Sequence, residues 1–345
     1  PELMAFRIGV AGTGVVAGYG HLPAIAENPD LELAIVYDPV VTSAERAGTR
    51  YGCPWTTDAE RFYAHDFDAV TVASPLPTHR EHVLRALESG RDVLCEKPLA
   101  VDDDEAAEMQ SVAERTGRLL AVGFVYRGSD VTRTLKGWID AGEIGELRLL
   151  RMSYLWNLHG RYAPDSAGEW QETPMWRGRM EEGGPMIDCG VHFIDLARLF
   201  TGSEIVEVQG AGAWVADYEA PDWTLGTLTH ANGAVTMVEV GFTYGHTAKV
   251  PRALFTYDLV GTGGTARYDR ELSRLELRNG EGLIEAHGGW EKDFVGMYGA
   301  WARALSTRDL GPLAGAEEAR IASRCAIDLT RRAMNTKLFR RVVRP

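Results

Sequence analysis

A strand-like run, Phe6 to Ala11 (FRIGVA), passes directly into Gly12-Thr13-Gly14, and helical spacing resumes through Val16, Leu22, Ile25 and Ala26. Few folds use a buried strand that ends on Gly-x-Gly and reopens as a helix. The first glycine permits a tight turn, the second lets backbone N–H groups approach a pyrophosphate, and Ala17 lets the helix pack close to the sheet. The helix then turns its positive end towards the anion. Gly-x-Gly-x-x-Ala is a weak pattern alone, but here it has a strand before it and a helix after it. Asp38 ends the next strand, Leu31 to Tyr37, roughly 20 positions further on, where a carboxylate can accept from adenine ribose hydroxyls. Gly12, Thr13, Gly14, Val15, Val16 and Asp38 are therefore expected to hold a dinucleotide. A 2′-phosphate would meet the Asp38 carboxylate with no arginine directly after it, and Arg46 reads as a solvated helix residue. NAD is expected over NADP.

The alternation continues through Ala69 to Ala73, Asp92 to Cys95 and Leu119 to Phe124, with helices through Ser43 to Tyr51, around His82 to Leu87, and Asp103 to Thr116. Strands alternating with helices of this length indicate βαβ units and a parallel sheet. After Tyr126 the pattern changes. A helix over Ser129 to Ala141 and a strand over Leu147 to Tyr154 lead to a stretch, 157–179, that reads as a loop. A helix over about Pro185 to Phe200 follows, and then many strand-length runs from Ile205 to Arg278. Asn232-Gly233 between two of these runs is a hairpin signal. Helices over about 290–307 and 314–337 complete the pattern. The expected architecture is α/β followed by α+β. It comprises a doubly wound, Rossmann-type dinucleotide-binding domain over 4–125 and a second domain over 126–345 with a large, open, mostly antiparallel sheet. A chain of 345 residues suits two domains.

Composition narrows the function. The net charge of −13 argues against a nucleic-acid or anionic-membrane surface, since phosphate binding needs a basic face. The longest apolar runs, such as Leu119 to Val125, are strand-sized and do not span a membrane. The first residues show no basic region followed by a long apolar stretch, so no signal peptide is expected. Four scattered cysteines, Cys53, Cys95, Cys189 and Cys325, form no C-x-x-C pair and suit reduced thiols in a cytoplasmic protein.

Two further motifs carry chemistry. Glu96-Lys97-Pro98 directly follows a strand, and ligands of doubly wound sheets sit at the carboxyl ends of strands. A lysine there can hold a substrate hydroxyl and stabilise its developing negative charge. Isolated, the same tripeptide would read as a surface lysine before a turn. Within Gly183 to His192 (GGPMIDCGVH), Asp188 and His192 stand four apart and share a helix face. A carboxylate beside an imidazole suits proton transfer at a secondary alcohol. The pair could equally be a plain helix-face contact or two metal ligands. A metal would need a third ligand, and His79 and His82 lie on another element, so no metal is expected.

Together these motifs resemble the oxidoreductases named for glucose–fructose oxidoreductase, inositol dehydrogenase and MocA. The resemblance runs through Gly12 to Gly14, His21-Leu22-Pro23-Ala24, Ser74-Pro75 with His79, Leu94 to Ala100 and Gly123-Phe124 with Arg127. It continues in Gly142 to Glu146, Trp176-Arg177, and Gly183 to His192 with Asp195. It implies a catalytic set of Lys97, Asp188 and His192, and a cis Lys97–Pro98 bond. It also implies cofactor contacts from Ser74, Pro75, Leu76, His79, Glu96, Lys97, Arg127 and Trp176. Substrate would meet Lys97, Tyr126, Trp156, Trp176, Asp188 and His192. The family pattern is broken at Leu76, often Asn, and at Glu182, frequently Gly. The implied activity is NAD-dependent hydride transfer at a secondary alcohol or ketone of a sugar, cyclitol or related polyol. The family also offers glycoside cleavage without net redox, and a non-catalytic dinucleotide-sensing regulator, which would not need the three catalytic residues. The second-domain sheet commonly builds a homodimer or homotetramer. Aromatic residues Tyr154, Tyr162 and Trp170 also fall in the substrate region, with His159 and Arg161 as polar candidates. Core packing and loop exposure are the competing readings for these.

Overall fold

The computed structural model describes residues 5–165, 167–172, 180 and 183–336. It has two compact units, one of residues up to 129 with 292–323, the other of 130–291 with residues from 324 on.

In the first unit, β1 (Phe6–Ala11), β2 (Leu31–Tyr37), β3 (Trp55–Thr56), β4 (Ala69–Val72), β5 (Asp92–Cys95) and β6 (Leu120–Val122) form a parallel sheet in the order β6-β5-β4-β1-β2-β3. Every residue of β4 and β5 is buried, as strands covered on both faces require. The covering helices are α1 (Leu22–Glu27), α2 (Val41–Tyr51), α3 (Ala59–Ala64), α4 (His79–Glu88) and α5 (Asp103–Thr116). The ends of α5 follow from its sequence. Asp102 accepts from the Glu105 amide at 2.9 Å, three acids occupy the first turn, and Gly117 closes the helix at φ +63°. The strand expected to reach Phe124 stops at Val122, because the Phe124 and Val125 amides turn back onto the Val122 and Gly123 carbonyls at 2.7 and 2.9 Å.

A boundary at 125/126 leaves residues 292–323 with the second domain, but their packing places them in the first unit. The helix Phe294–Thr307 buries Tyr298 and Trp301 completely. Arg308, in the left-handed region at φ +62°, forks onto Asp92 at 2.5 and 2.9 Å, and Arg320 forks onto Asp103 at 2.7 and 2.9 Å. A short strand, Ala314–Gly315, pairs antiparallel with β6.

The second unit holds α6 (Asp130–Asp140), β7 (Leu147–Leu155), β8 (Tyr162–Pro164), β9 (Trp170–Glu172), α7 (Val191–Thr201), β10 (Ile205–Ala213), β11 (Trp223–His230), β12 (Val235–Gly241), β13 (Leu254–Gly261), β14 (Gly264–Asp269), β15 (Arg274–Asn279) and β16 (Gly282–His287). Eight strands form one sheet, β10-β11-β12-β7-β13-β14-β15-β16, antiparallel except where β12 meets β7. Asn232-Gly233 makes the expected hairpin, with Gly233 at φ +84° and Thr229 opposite Val235. One sheet face buries Met152, Phe255, Tyr257 and Tyr268, and Phe193 of α7 packs edge-on against Phe255 and Tyr257. Across the other face the register sets Met237, Arg151, Asp258, Arg267 and Glu276 side by side. Within the stretch expected to be loop, β8 and β9 pair as a small hairpin. Two helices open differently from their expected form. The helix after the glycine loop begins with a π turn, Ala17–His21, and α7 is preceded by another, Met186–Gly190. Such turns are rare and concentrate at functional sites.

Candidate active site

The glycine loop lies between the carboxyl ends of β1 and β4, where the strand order reverses. Gly12 has φ +94°, and a Cβ there would sit 2.5 Å from the Ser74 amide nitrogen and 2.6 Å from the Ala73 carbonyl oxygen. Only glycine fits. A Cβ on Gly14 would meet nothing within 4 Å, and Val15 is 81% exposed, so the helix opening faces open space. The first amides of a helix lack partners within it, and the open space at this helix opening leaves room for a diphosphate. Asp38 Oδ2 accepts from the Thr13 amide at 2.9 Å and hydroxyl at 3.1 Å, while Oδ1 accepts from the Val40 amide at 2.9 Å. The acid at the end of β2 thus also shapes the loop. The residues present fit a dinucleotide.

Beside the loop, Ser74 accepts from the Thr78 hydroxyl at 2.7 Å, and Pro75 leads into a 3-10 turn, Leu76–Thr78. His79 is buried, with Nε2 at 2.9 Å from the Ser74 carbonyl and Nδ1 at 3.0 and 3.3 Å from those of Pro98 and Leu99. Burial pushes its pKa down against the pull of these carbonyls and Glu96. The ring joins the loops after β4 and β5. Arg127, 9% exposed, is paired with Glu318 at 2.8 Å, and Tyr126 is buried in this unit.

Lys97 follows β5 directly, at the same sheet edge as the glycine loop, and its bond to Pro98 is cis. Beneath it runs a chain of side chains that the sequence reading did not assemble. Glu96 Oε2 accepts from the Lys97 amide at 3.1 Å, and Oε1 lies 2.9 Å from His21 Nε2. His21 Nδ1 lies 2.8 Å from the Tyr298 hydroxyl, itself 3.0 Å from that of Thr71. Burial would raise the Glu96 pKa, but the His21 hydrogen bond, with the charges of His21, Lys97 and His79, holds it below the usual carboxylate value. His21 carried a signal, a histidine among apolar residues about two turns past the glycine loop. Tyr298, 277 positions away, carried none.

In the second unit Asp188 lies in the π turn and the buried His192 in the first turn of α7, so one continuous helix carries both. Gly183 and Gly184, at φ +111° and +80°, make the turn that enters it. The Cys189 thiol lies 3.5 Å from Asp188 Oδ2. Lys97 belongs to the first unit and these two to the second. Trp156 stacks on Tyr154 at 5.2 Å, Tyr154 being largely buried. Arg270, held by Glu291 at 3.0 Å, lies over Tyr154, Phe255 and Trp290, an arrangement unforeseen from the sequence. Burial lowers the His159 pKa to about 4, and its ring meets the Tyr218 hydroxyl at 2.5 Å. Arg161 pairs with Glu172 at the surface, while Tyr162 and Trp170 sit on the β8–β9 hairpin. Trp176, expected to touch both cofactor and substrate, lies outside the described residues, as do Arg177 and Glu182.

Comparison with known proteins supplies an independent view. The family model described as "Oxidoreductase family, NAD-binding Rossmann fold" matches residues 6–124, and that of the GFO/IDH/MocA C-terminal domain matches 132–267. D-glucoside 3-dehydrogenase of Escherichia coli is 30% identical over 258 residues, 68% of this chain and 70% of that protein. Inositol 2-dehydrogenase 1 of Mycolicibacterium vanbaalenii is 35% identical over 208 residues, 59% of this chain and 56% of that protein. A crystallised oxidoreductase from Agrobacterium radiobacter, in complex with NAD+, L-tartaric acid and magnesium, shares the fold. Its TM-score is 0.81 over 96% of this chain and 97% of that one, at 20% identity.

Proposed function

Because this chain belongs to the GFO/IDH/MocA family of oxidoreductases, we propose that it transfers hydride between a nicotinamide dinucleotide and a secondary alcohol or ketone of a sugar, cyclitol or related polyol. The observation that carries this reading is the shared sheet edge. Lys97 stands at the carboxyl end of β5, two strands along the sheet from the glycine loop that follows β1 and has room for a diphosphate. NAD is the preferred cofactor in this proposal, since Asp38 would face a 2′-phosphate with its carboxylate.

Gly12 to Val16 and Asp38 would hold the dinucleotide, which supplies the hydride acceptor when bound. His192 takes the alcohol proton, Lys97 holds the same oxygen and stabilises its negative charge, and Asp188 orients the pair. His192→Ala should cut turnover by about 10²–10⁴-fold with NAD affinity little changed. Lys97→Ala should lose at least as much. A defect confined to substrate affinity would make His192 a binding residue.

A panel of D-glucosides and inositols, followed by NADH formation, tests the activity. Net NADH from at least one member is expected. Glycoside cleavage without net NADH would replace hydride transfer to product with a transient redox cycle, and dinucleotide binding with no turnover would favour a regulator. The proposal includes a cytoplasmic location, supported by four cysteines of which none forms a disulfide. Among the described residues no helix is long and apolar enough to cross a membrane. It also includes a homodimer or homotetramer built on the open sheet face. Support comes from exposed Leu225 and Met237 beside the mixed charges of Arg151, Asp258 and Arg267. Light scattering at micromolar concentration would return the monomer mass if that assembly is wrong.

A further inference from the structure

Four side chains from distant parts of the first unit meet below the Lys97 loop. Thr71 comes from β4, Tyr298 from the helix Phe294–Thr307, His21 from the π turn after the glycine loop, and Glu96 from the end of β5. The hydroxyls of Thr71 and Tyr298 lie 3.0 Å apart, the Tyr298 hydroxyl lies 2.8 Å from His21 Nδ1, and His21 Nε2 lies 2.9 Å from Glu96 Oε1. The other Glu96 oxygen takes the Lys97 amide. Every member has a partner, which a buried polar chain needs in order to be stable.

Two observations limit what this chain can do. Thr71, Tyr298 and His21 are wholly buried, so the chain ends inside the protein and is no route for protons to water. A purely structural link would not need a carboxylate, because burying a charge is costly and apolar packing commonly serves as well. Glu96 is nonetheless only 12% exposed, and Gly123 leaves it room. A Cβ on Gly123 would lie 2.9 Å from Glu96 Oε1.

We propose that His21 and Tyr298 are positioning residues for Lys97, holding the Glu96 carboxylate so that it fixes the Lys97 backbone and stands as a permanent negative charge beside its ammonium. The proposal rests on the catalytic reading of Lys97 above. The groups facing Glu96 are His21, Lys97, His79 from α4, the buried Cys95 thiol, and the Tyr298 hydroxyl through His21. Their balance holds Glu96 ionised, so the charge persists through the neutral range.

The test uses the full chain and two kinds of readout. The first needs no substrate or cofactor. Reductive methylation of Lys97 by formaldehyde, with cyanoborohydride as the hydride donor, is followed against pH by peptide mass. Glu96→Gln removes the neighbouring charge and should move the methylation midpoint to lower pH, and Tyr298→Phe should move it the same way by less. The second readout is turnover of whichever glucoside or inositol yields NADH. Tyr298→Phe, which keeps the ring packing, should lower kcat roughly tenfold with the KM for NAD unchanged, the scale of a small misplacement. In a Lys97→Ala background the same change should have no further effect, because positioning acts only through Lys97. Unchanged methylation midpoints in both variants, or an equal kcat loss in the Lys97→Ala background, would overturn the proposal. Should Glu96→Gln fail to fold, the Tyr298→Phe midpoint and cycle decide it alone. Full turnover by Lys97→Ala would instead remove the catalytic reading on which the proposal stands.

Discussion

Asp38 shapes the glycine loop, and in the proposed function the same carboxylate would meet the adenine ribose. Its two oxygens accept from the Thr13 amide, the Thr13 hydroxyl and the Val40 amide, so its charge is anchored where a ribose would lie. Asp38→Ala removes the charge and leaves buried donors unmade, at a cost of about 1–3 kcal/mol for such a group. The expected outcome is a lower unfolding temperature together with a rise in NADP use relative to NAD, larger when Pro39 is also replaced by arginine. The ratio of kcat/KM for the two cofactors measures it. An unmodified enzyme that already prefers NADP would sink the charge argument and turn attention to Arg46. His79, which the family resemblance places among the cofactor contacts, has its ring nitrogens against three backbone carbonyls.

The two glycines of the first loop separate folding from binding within one element. Gly12→Ala places a methyl group 2.5 Å from the Ser74 nitrogen at a φ that disfavours any side chain, so the loop must shift and both stability and NAD binding should suffer. Gly14→Ala meets no protein atom within 4 Å, so its unfolding temperature should stay near that of the unmodified chain while NAD affinity drops by an order of magnitude or more. Thermal unfolding with NADH fluorescence titration distinguishes the two. Equal NAD affinity in Gly14→Ala would place the diphosphate elsewhere. The π turns before α1 and α7 could not be read from periodicity. Gly20 and Gly190, where a Cβ would strike Phe294 and Met186, are places where a neighbour comes close, and that closeness is a property of the packed molecule.

Across the whole molecule, buried histidines set the response to acid. His79 and His82 in the first unit, and His159 and His230 in the second, are all pushed below the ordinary value, burial being the largest cause in each. In the unfolded chain such rings take up protons near pH 6.5, while the folded rings stay neutral until lower pH. The unfolded state therefore binds more protons, and stability falls as pH drops below about 6.5, by about 1.4 kcal/mol per pH unit for each proton taken up. For His159 the window runs from about 6.5 down to about 4. The Glu96 carboxylate acts the same way at lower pH, its contribution lost only below the ordinary glutamate range. The unfolding temperature should fall steadily from pH 7 to pH 5. A flat or rising profile would show that these rings are protonated in the folded state.

The amino-acid sequence by itself determined the alternating first domain, the glycine loop with its acid at the end of β2, the placement of Lys97 just after β5, and the Asn232-Gly233 hairpin. These rest on local physics: the period of apolar residues, turn chemistry, and the small residues that a close backbone approach demands. Tertiary structure alone decided that residues 292–323 pack with the first unit, that β12 runs parallel beside β7, and that Tyr298 reaches His21. Those contacts join residues scores to hundreds of positions apart. Each is chosen by the fit of whole surfaces in the folded chain, and such a fit leaves no periodic trace in the segments it joins.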